Sequence, residues 1–535
     1  MNKVSAPRAK LVELLWQLKQ NYDQLDGERN IHFNTLLRDS DFRRELINEA
    51  AVSSNRELRE IGQSLRVLNT DGELTQSRIR SAPLNPDIAE TVAAVTGKKK
   101  QNSGRLALAA LVLLAVAIGG FVALNPMSGN EQSVRGSLNG EHFWTADKSW
   151  LLDGIVYLEA GARLTIEAGT VVKGLQGSAL VVTRDATIMA RGAAQAPIVF
   201  TSAKDAGARQ AGDWGGLVLL GNAPVNTRDA QIEGVPLTDT RGMFGGVDSR
   251  HNCGVLEYVR IEFAGYEVYA NNELNGLTLG GCGSNTIVRH VQVHRASDDG
   301  IEVFGGTVDL KHVLISGAAD DSLDWDMGWT GRVQFLQVLQ YPGIGDNGFE
   351  ADNRDGRHDV EPVSQPTFYN VTLQSMSGAE KYQRGMTLRR GTGGHFNNMI
   401  IDGFSGEAID IKDLSTVSRL GSGMMSFSGL LIHNIGGDGR SFFAAELGAQ
   451  DDDGGFDELA FFRDAARLGV SPQHRPGSAL LEQPEFRLAA QSPAREGAVA
   501  VPEGEFWDEA ANYLGAVRPG SNTTWMDGWS AFPVH

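Results

Sequence analysis

Cysteine is scarce: the 535 residues contain two. A disulfide-built scaffold is therefore excluded, and the common cysteine-based zinc patterns are absent. Positive charge is in deficit. Lys and Arg total 48 against 66 Asp and Glu, for a net charge of −18 and a pI near 5.1. Such a chain repels a phosphate backbone, so no nucleic acid is expected among its partners. The linear signatures of several enzyme classes are missing as well. There is no P-loop, no GxSxG elbow, no HExxH and no dinucleotide-binding fingerprint.

What the chain has instead is glycine and repetition. Its 64 glycines exceed the usual share of roughly 7%, and short turns between stacked strands need them. From Val255 to Ile432 one pattern returns every ~22 to 33 residues. The segments include LEYVRIEFAG, NTIVRHVQVHRASDDG, TVDLKHVLISGAADDS, RVQFLQVLQYPGIGDNG, PTFYNVTLQSMSGAEK and HFNNMIIDGFSGEA. Each alternates apolar and polar residues and then ends in a Gly/Ser/Asp turn, which marks a strand. Strands repeated this way form a solenoid whose coils bury their faces only by stacking, here a parallel β-helix.

One stretch is of another kind. Leu106 to Leu124 carries no charge over 19 residues, close to the ~20 that cross a bilayer. It begins too far along the chain to be a signal peptide. Lys98, Lys99, Lys100 and Arg105 precede it and no comparable cluster follows. The positive-inside rule then places the N-terminal part in the cytoplasm and the larger C-terminal part outside. Before the span, Leu11, Leu15, Leu18, Tyr22 and Leu25 share one helical face. A second helix is expected to carry Phe42, Leu46, Ile47 and Ala50. Ser54 with Glu57 reads as a capping box ahead of Leu58, Ile61, Leu65 and Leu68. No catalytic constellation occurs in this part, which suits an interaction or regulatory module.

The expected organisation is a cytoplasmic helical domain over residues 1–82, a linker over 83–104 and a transmembrane helix over 105–125. A second linker over 126–143, a parallel β-helix over 144–450 and a loop-rich, partly helical capping region over 451–535 follow.

The phrases GDWGGLVLLGNAPVN, GVLEYVRIEFAG, NELNGLTLGG, ASDDGIEVFGGTVDLKH and NYLGAVRPGSNTTWMDGW occur in that order between Trp144 and Trp529. In them the chain resembles a family of secreted or surface right-handed β-helix repeat proteins of Gram-negative bacteria, and more distantly pectate lyases and polygalacturonases. The resemblance implies a right-handed solenoid and an envelope location. The fold class expected is all-β, with a small N-terminal α-helical domain and one transmembrane helix. The N-terminus departs from the family pattern of a cleaved signal or lipid anchor. Location in the bacterial inner membrane, single-pass, with the β-helix in the periplasm, is expected instead.

Aligning the turns SDDGIEVFGG, ADDSLDWDMG, GDNGFEADNR, YQRGMTLRRG and SGEAIDIKD makes columns. Asp298, Asp320 and Asp346 form one, and Asp299, Asp321 and Asn347 the next. Glu302, Asp324, Glu350, Thr387 and Asp410 form a third; Phe304, Asp326, Asp352, Arg389 and Lys412 a fourth. Adjacent coils lie ~4.8 Å apart, so stacked carboxylates repel unless a cation joins them. The first two columns suit tight turns, where Asp and Asn bond the local backbone. The third sits within strand alternation and does not. Glu302, Asp324, Asp326, Glu350 and Asp352 are therefore candidate ligands for Ca2+. Glu302, Asp324, Glu350, Arg389 and Lys412 are candidate ligand-binding residues for an unknown periplasmic ligand or protein. The alternative is a lyase or glycosidase acting on acidic polysaccharide, with Asp324, Glu350 and Arg389 as catalytic candidates. Against it, the β-helix region carries none of the NTD, GHG and RIK segments of polygalacturonases.

Cys253 and Cys282 lie about one coil apart, within disulfide reach, and an oxidising exterior favours the bond. His290 and His312 share a column and flank inward Val291 and Val313. They are expected to point outward in a polar ladder continued by Gln337, Asn370 and Asn398. The leading expectation for function is a membrane-anchored β-helix that binds a ligand or partner along its face and is linked to the cytoplasmic domain.

Overall fold

The computed structural model describes residues 14–15, 18, 40–53, 55–66, 131–235, 239–269, 272–376, 381–443, 452–475 and 483–535. The chain forms two units, Met1–Gly129 and Asn130–His535. In the first, helix α1 (Ser40–Ala50) and helix α2 (Arg56–Arg66) bury Leu46, Ile47 and Ala50 against Leu58, Ile61 and Leu65. Gly62 permits the close crossing: a Cβ there would lie 2.4 Å from Ala51 N. Asn55 Oδ1 accepts from Leu58 N at 3.1 Å, so Asn55, rather than Ser54, caps α2. Leu15 and Leu18 are buried. Ser54, most of the first expected helix, the linker over 83–104 and the segment 105–125 lie outside the described residues. Among those described, no helix is long and apolar enough to cross a membrane.

In the second unit each coil contributes strands to three parallel sheets. The first sheet pairs Glu257 with Arg289, Arg289 with Lys311, and onward to Ser428. The second continues the same strands, as in Val259 with Val291 and Val291 with Val313, down to Ala466–Leu468. The third runs from Gly136–Leu138 through Ile301–Phe304 and Leu323–Asp326 to Ile409–Ile411. Apolar residues at every second position fill the interior. Val291, Val313, Leu336 and Val371 stack in the second sheet, and Ile301, Leu323, Phe349 and Met386 in the third, all fully buried. Each such side chain contributes roughly 1.5–3 kcal/mol relative to exposure.

One left-handed residue turns the first sheet into the second. Tyr258, His290, His312, Phe335, Asn370, Asn398 and Gly429 occupy this bend, with φ between 51° and 66°. Gln337, expected in the histidine column, instead pairs between Leu314 and Thr372; Phe335 takes the place. Two-residue alternation cannot tell these positions apart. The unpaired bend residue shifts the count, and only the register reveals it.

The coils begin earlier than residue 144. Glu131–Leu138 pairs with Ser149–Leu158, and Glu141–Trp144 with Arg163–Ile166. The first of these strands buries only Val134, so backbone pairing holds it and no apolar pattern announces it. At the other end helix α3 (Leu414–Ser422) follows the third sheet, and helix α4 (Glu458–Ala465) closes the solenoid. Phe462 of α4 is fully buried, with its ring centroid 4.9 Å from that of Phe427.

Residues 483–535 do not cap the end. They run back along the bend column. Tyr513 O accepts from Asn370 Nδ2 at 2.7 Å, and Ala531 O accepts from Gln292 Nε2 at 2.7 Å. Trp529 and Trp525 cover His290 and His312. The expected outward direction of the histidines holds for the strand, but the tail encloses them. A further excursion, residues 221–253, lays Ala230, Ile232, Val235 and Phe244 over Val181, Val218 and Leu220 of the third sheet. Its end is tied by the Cys253–Cys282 disulfide.

Candidate functional site

The outer face of the third sheet, beyond that excursion, carries the acidic columns. In Ile301–Phe304 and Leu323–Asp326 the core takes Ile301, Val303, Leu323 and Trp325, which turns Glu302 and Asp324 outward. The register stacks Thr278, Glu302, Asp324, Glu350, Thr387 and Asp410 in succession. Phe304 pairs with Asp326 in the neighbouring column. Asp352 N donates to Trp325 O at 2.8 Å, Arg389 N to Ala351 O at 2.9 Å, and Lys412 N to Leu388 O at 2.8 Å. Both columns thus align as the sequence repeat implies.

The preceding turns build a ladder of their own. Asp299 Oδ1 accepts from Asp321 N at 2.9 Å, and Asp321 Oδ1 from Asn347 N at 2.7 Å. Thr387 Oγ1 donates to Asn347 Oδ1 at 2.8 Å. Asp299, Asp321 and Asn347 are buried, 7%, 4% and 4% exposed, so this column is structural, but the Asp299 and Asp321 carboxylates bond the backbone of the next coil rather than the local turn expected. Asp299 also does something else. A carboxylate oxygen each from Asp299, Glu302 and Asp324 lies within 4.8 Å of the others, and Asp298, Asp299 and Asp320 form a second such group. Asp324 Oδ1 is buried without a hydrogen-bond partner. Asn275 Nδ2 donates to Glu302, and Asn275 Oδ1 is likewise unpartnered. Burial, then the neighbouring carboxylates, pushes Asp299, Glu302, Asp321 and Asp324 well above the usual carboxylate range.

The remaining candidates are neutralised differently. Arg389 Nε donates to Asp352 Oδ1 at 2.8 Å, and its Nη2 bonds Glu350. Arg390 Nη1 donates to Asp352 Oδ2 at 2.5 Å. Burial would raise the Asp352 carboxyl, but these two guanidiniums outweigh it and hold its pKa down. For Glu350 burial wins over Arg389, and the carboxyl is pushed up to about 7. Asp326 is also pushed up to about 7, by burial and then Asp352. Lys412 Nζ lies 3.6 Å from Asp410, which Arg384 also approaches at 3.5 Å.

The five expected metal ligands therefore divide. Glu302 and Asp324 meet, with Asp299 as the third oxygen donor; Glu350 and Asp352 take Arg389; and Asp326 joins neither group, its Oδ1 accepting from Met327 N. Arg389 sits between two carboxylates that hold it charged, which does not suit a general base. Asn275 was not legible beforehand. It precedes its strand in a loop, and no periodicity marks it. The histidine pair offers no converging donors: the rings of His290 and His312 stack face to face at 4.5 Å. Burial lowers their pKa values to about 4 and about 3.

A family model, the pectate-lyase-like β-helix domain, matches residues 136–442. No curated protein and no solved structure matches the chain.

Proposed function

The chain belongs to the pectate-lyase-like β-helix domain family, and from that premise we propose that its third sheet binds carbohydrate on the outer acidic face through a divalent cation. Asp299, Glu302 and Asp324 supply the protein ligands. Their hard carboxylate oxygens favour calcium, which accepts six to eight oxygens and leaves positions for sugar hydroxyls or carboxylates. One observation carries this reading. Among the described residues, arginines form ion pairs with Glu350 and Asp352 but not with Asp299, Glu302 or Asp324; the charge of Arg389 reaches Asp324 only at longer range, and Asp324 Oδ1 is buried and unpartnered. Without a cation, burial and mutual repulsion favour the protonated form of this group. The test is binding of polysaccharides to the full-length protein in calcium and in chelator. Calcium-dependent retention that disappears in Asp324→Asn supports the reading; retention unchanged by chelator rejects it.

A second reading, a glycoside hydrolase, draws on the raised Glu350 carboxyl beside Asp324 on the next coil. Stacked carboxyls ~5 Å apart suit a retaining pair. New reducing ends from a bound polysaccharide would favour it, and intact polymer would favour binding alone. Anchorage in the inner membrane through residues 105–125, with the helical unit cytoplasmic and the β-helix periplasmic, completes the proposal. Its support is the uncharged run Leu106–Leu124 behind Lys98, Lys99, Lys100 and Arg105.

A further inference from the structure

The excursion over residues 221–253 meets the long turn over residues 352–366 beside the acidic columns. Asn226 is the joint. Its Nδ2 donates to Asn353 Oδ1 at 2.9 Å and to Pro362 O at 3.2 Å, and its backbone N donates to Met327 O at 3.0 Å. Arg354 Nη1 donates to Asn226 O at 2.6 Å. Where the two segments meet lies a cavity of ≈ 600 Å³, lined by Asn226, Thr227, Arg228, Arg354, Arg357 and Glu361 among others.

Three arginines around one cavity are unexpected in a chain of net charge −18. Arg384, Arg389 and Arg390 each hold a carboxylate. Arg228, Arg354 and Arg357 make no ion pair among the described residues, although Glu361 also lines the cavity. Arg354 is half-buried. Burial, and next the charge of Arg357, lowers its pKa, and the weaker opposing charge of Asp326 does not offset them. Guanidiniums gathered this way cost stability until an anion joins them.

We infer that this cavity is an oxyanion site for a sulfate or phosphate group, such as an ester substituent on a sugar. A planar carboxylate is satisfied by one bidentate guanidinium. Three guanidiniums at one cavity match a tetrahedral group with three or more acceptor oxygens. The inference does not rest on cation binding at Asp299, Glu302 and Asp324, since the two sites share no residue.

The experiment uses the full-length protein in detergent at neutral pH and constant ionic strength. Its melting temperature is followed against inorganic sulfate, inorganic phosphate, acetate and chloride. A saturable rise with sulfate, phosphate or both is expected, and sulfate alone or phosphate alone identifies which ester the site takes. Arg228→Gln and Arg357→Gln alter exposed side chains, so folding does not depend on them. Each should weaken binding roughly tenfold or more. An equal rise with chloride overturns the inference, as does a stronger one with acetate. So does a rise with sulfate or phosphate that the double variant keeps unchanged.

Discussion

Arg389 Nε donates to Asp352 Oδ1 at 2.8 Å from the neighbouring coil, and this ion pair divides one acidic face into two halves. On its side the carboxylates have a fixed counter-charge. On the other, Asp299, Glu302 and Asp324 form no ion pair among the described residues.

Calcium should raise the melting temperature by binding only the folded chain. Asp324→Asn should remove most of that rise, whereas Glu350→Gln should keep it, because Glu350 is committed to Arg389. Differential scanning calorimetry with calcium, magnesium and chelator decides the matter. One melting temperature in all three would end the metal hypothesis.

The pH dependence should have a definite sign. Glu350 and Asp326, raised to about 7 in the folded chain, ionise near 4 when unfolded. At these two groups the folded chain binds more protons across that window, so in chelator their contribution to stability should fall as pH rises from about 4 to about 7. Glu302 and Asp324, raised well above the usual range by burial and neighbouring carboxylates, add to the loss in the same direction. The histidines act in the opposite direction. His290, His294 and His312 are lowered to about 4, 3 and 3, so their contribution is lost as pH falls below about 6.5. The carboxylate effect therefore stands clear above pH ~6.5, where melting in chelator should weaken with rising pH and calcium should flatten the slope. A melting temperature that climbs with pH there would contradict the buried-carboxyl account.

Trp529 is 1% exposed, with its ring centroid 6.0 Å from that of His290 and 5.9 Å from that of Tyr258. Trp529→Ala should destabilise the β-helix unit by about 3–5 kcal/mol. Since burial is the main cause of the low His290 pKa, removing this cover should also raise it. Urea unfolding gives the first quantity and an NMR titration of the histidine rings the second. A variant with wild-type stability would mean that the tail is a loose appendage.

Cys253 and Cys282 are bonded across a separation of 29 residues, and both are fully buried. Replacing both with Ser should cost ~2–4 kcal/mol, chiefly through the freed unfolded chain. Peptide mapping without reductant should recover the cross-link from exported protein, and free thiols at both positions would refute it.

For topology, a reporter active only in the periplasm should work when fused after Ser128 and fail when fused at Thr96. The basis is the basic cluster from Lys98 to Arg105 ahead of an uncharged run. The reverse pattern would turn the whole chain over.

The repeat by itself determined the solenoid, the inward Val and Ile stacks, the column running from Glu302 to Asp410 and the pairing of Cys253 with Cys282. Stacked in-register coils turn alignment of sequence into adjacency in space, so nearest-neighbour relations can be read in a line. Other features depended on tertiary structure. The bend residue that replaces Gln337 with Phe335 appears only in the register. The tail reaches Gln292 from Ala531 across 239 residues, and Asn226 reaches Asn353 across 127. No periodicity relates such positions. Likewise, Glu350 meets Arg389 and Asp299 lies beside Asp324, which brings side chains of different columns together. That choice of counter-charge depends on distances of a few ångströms, below what repeat spacing specifies.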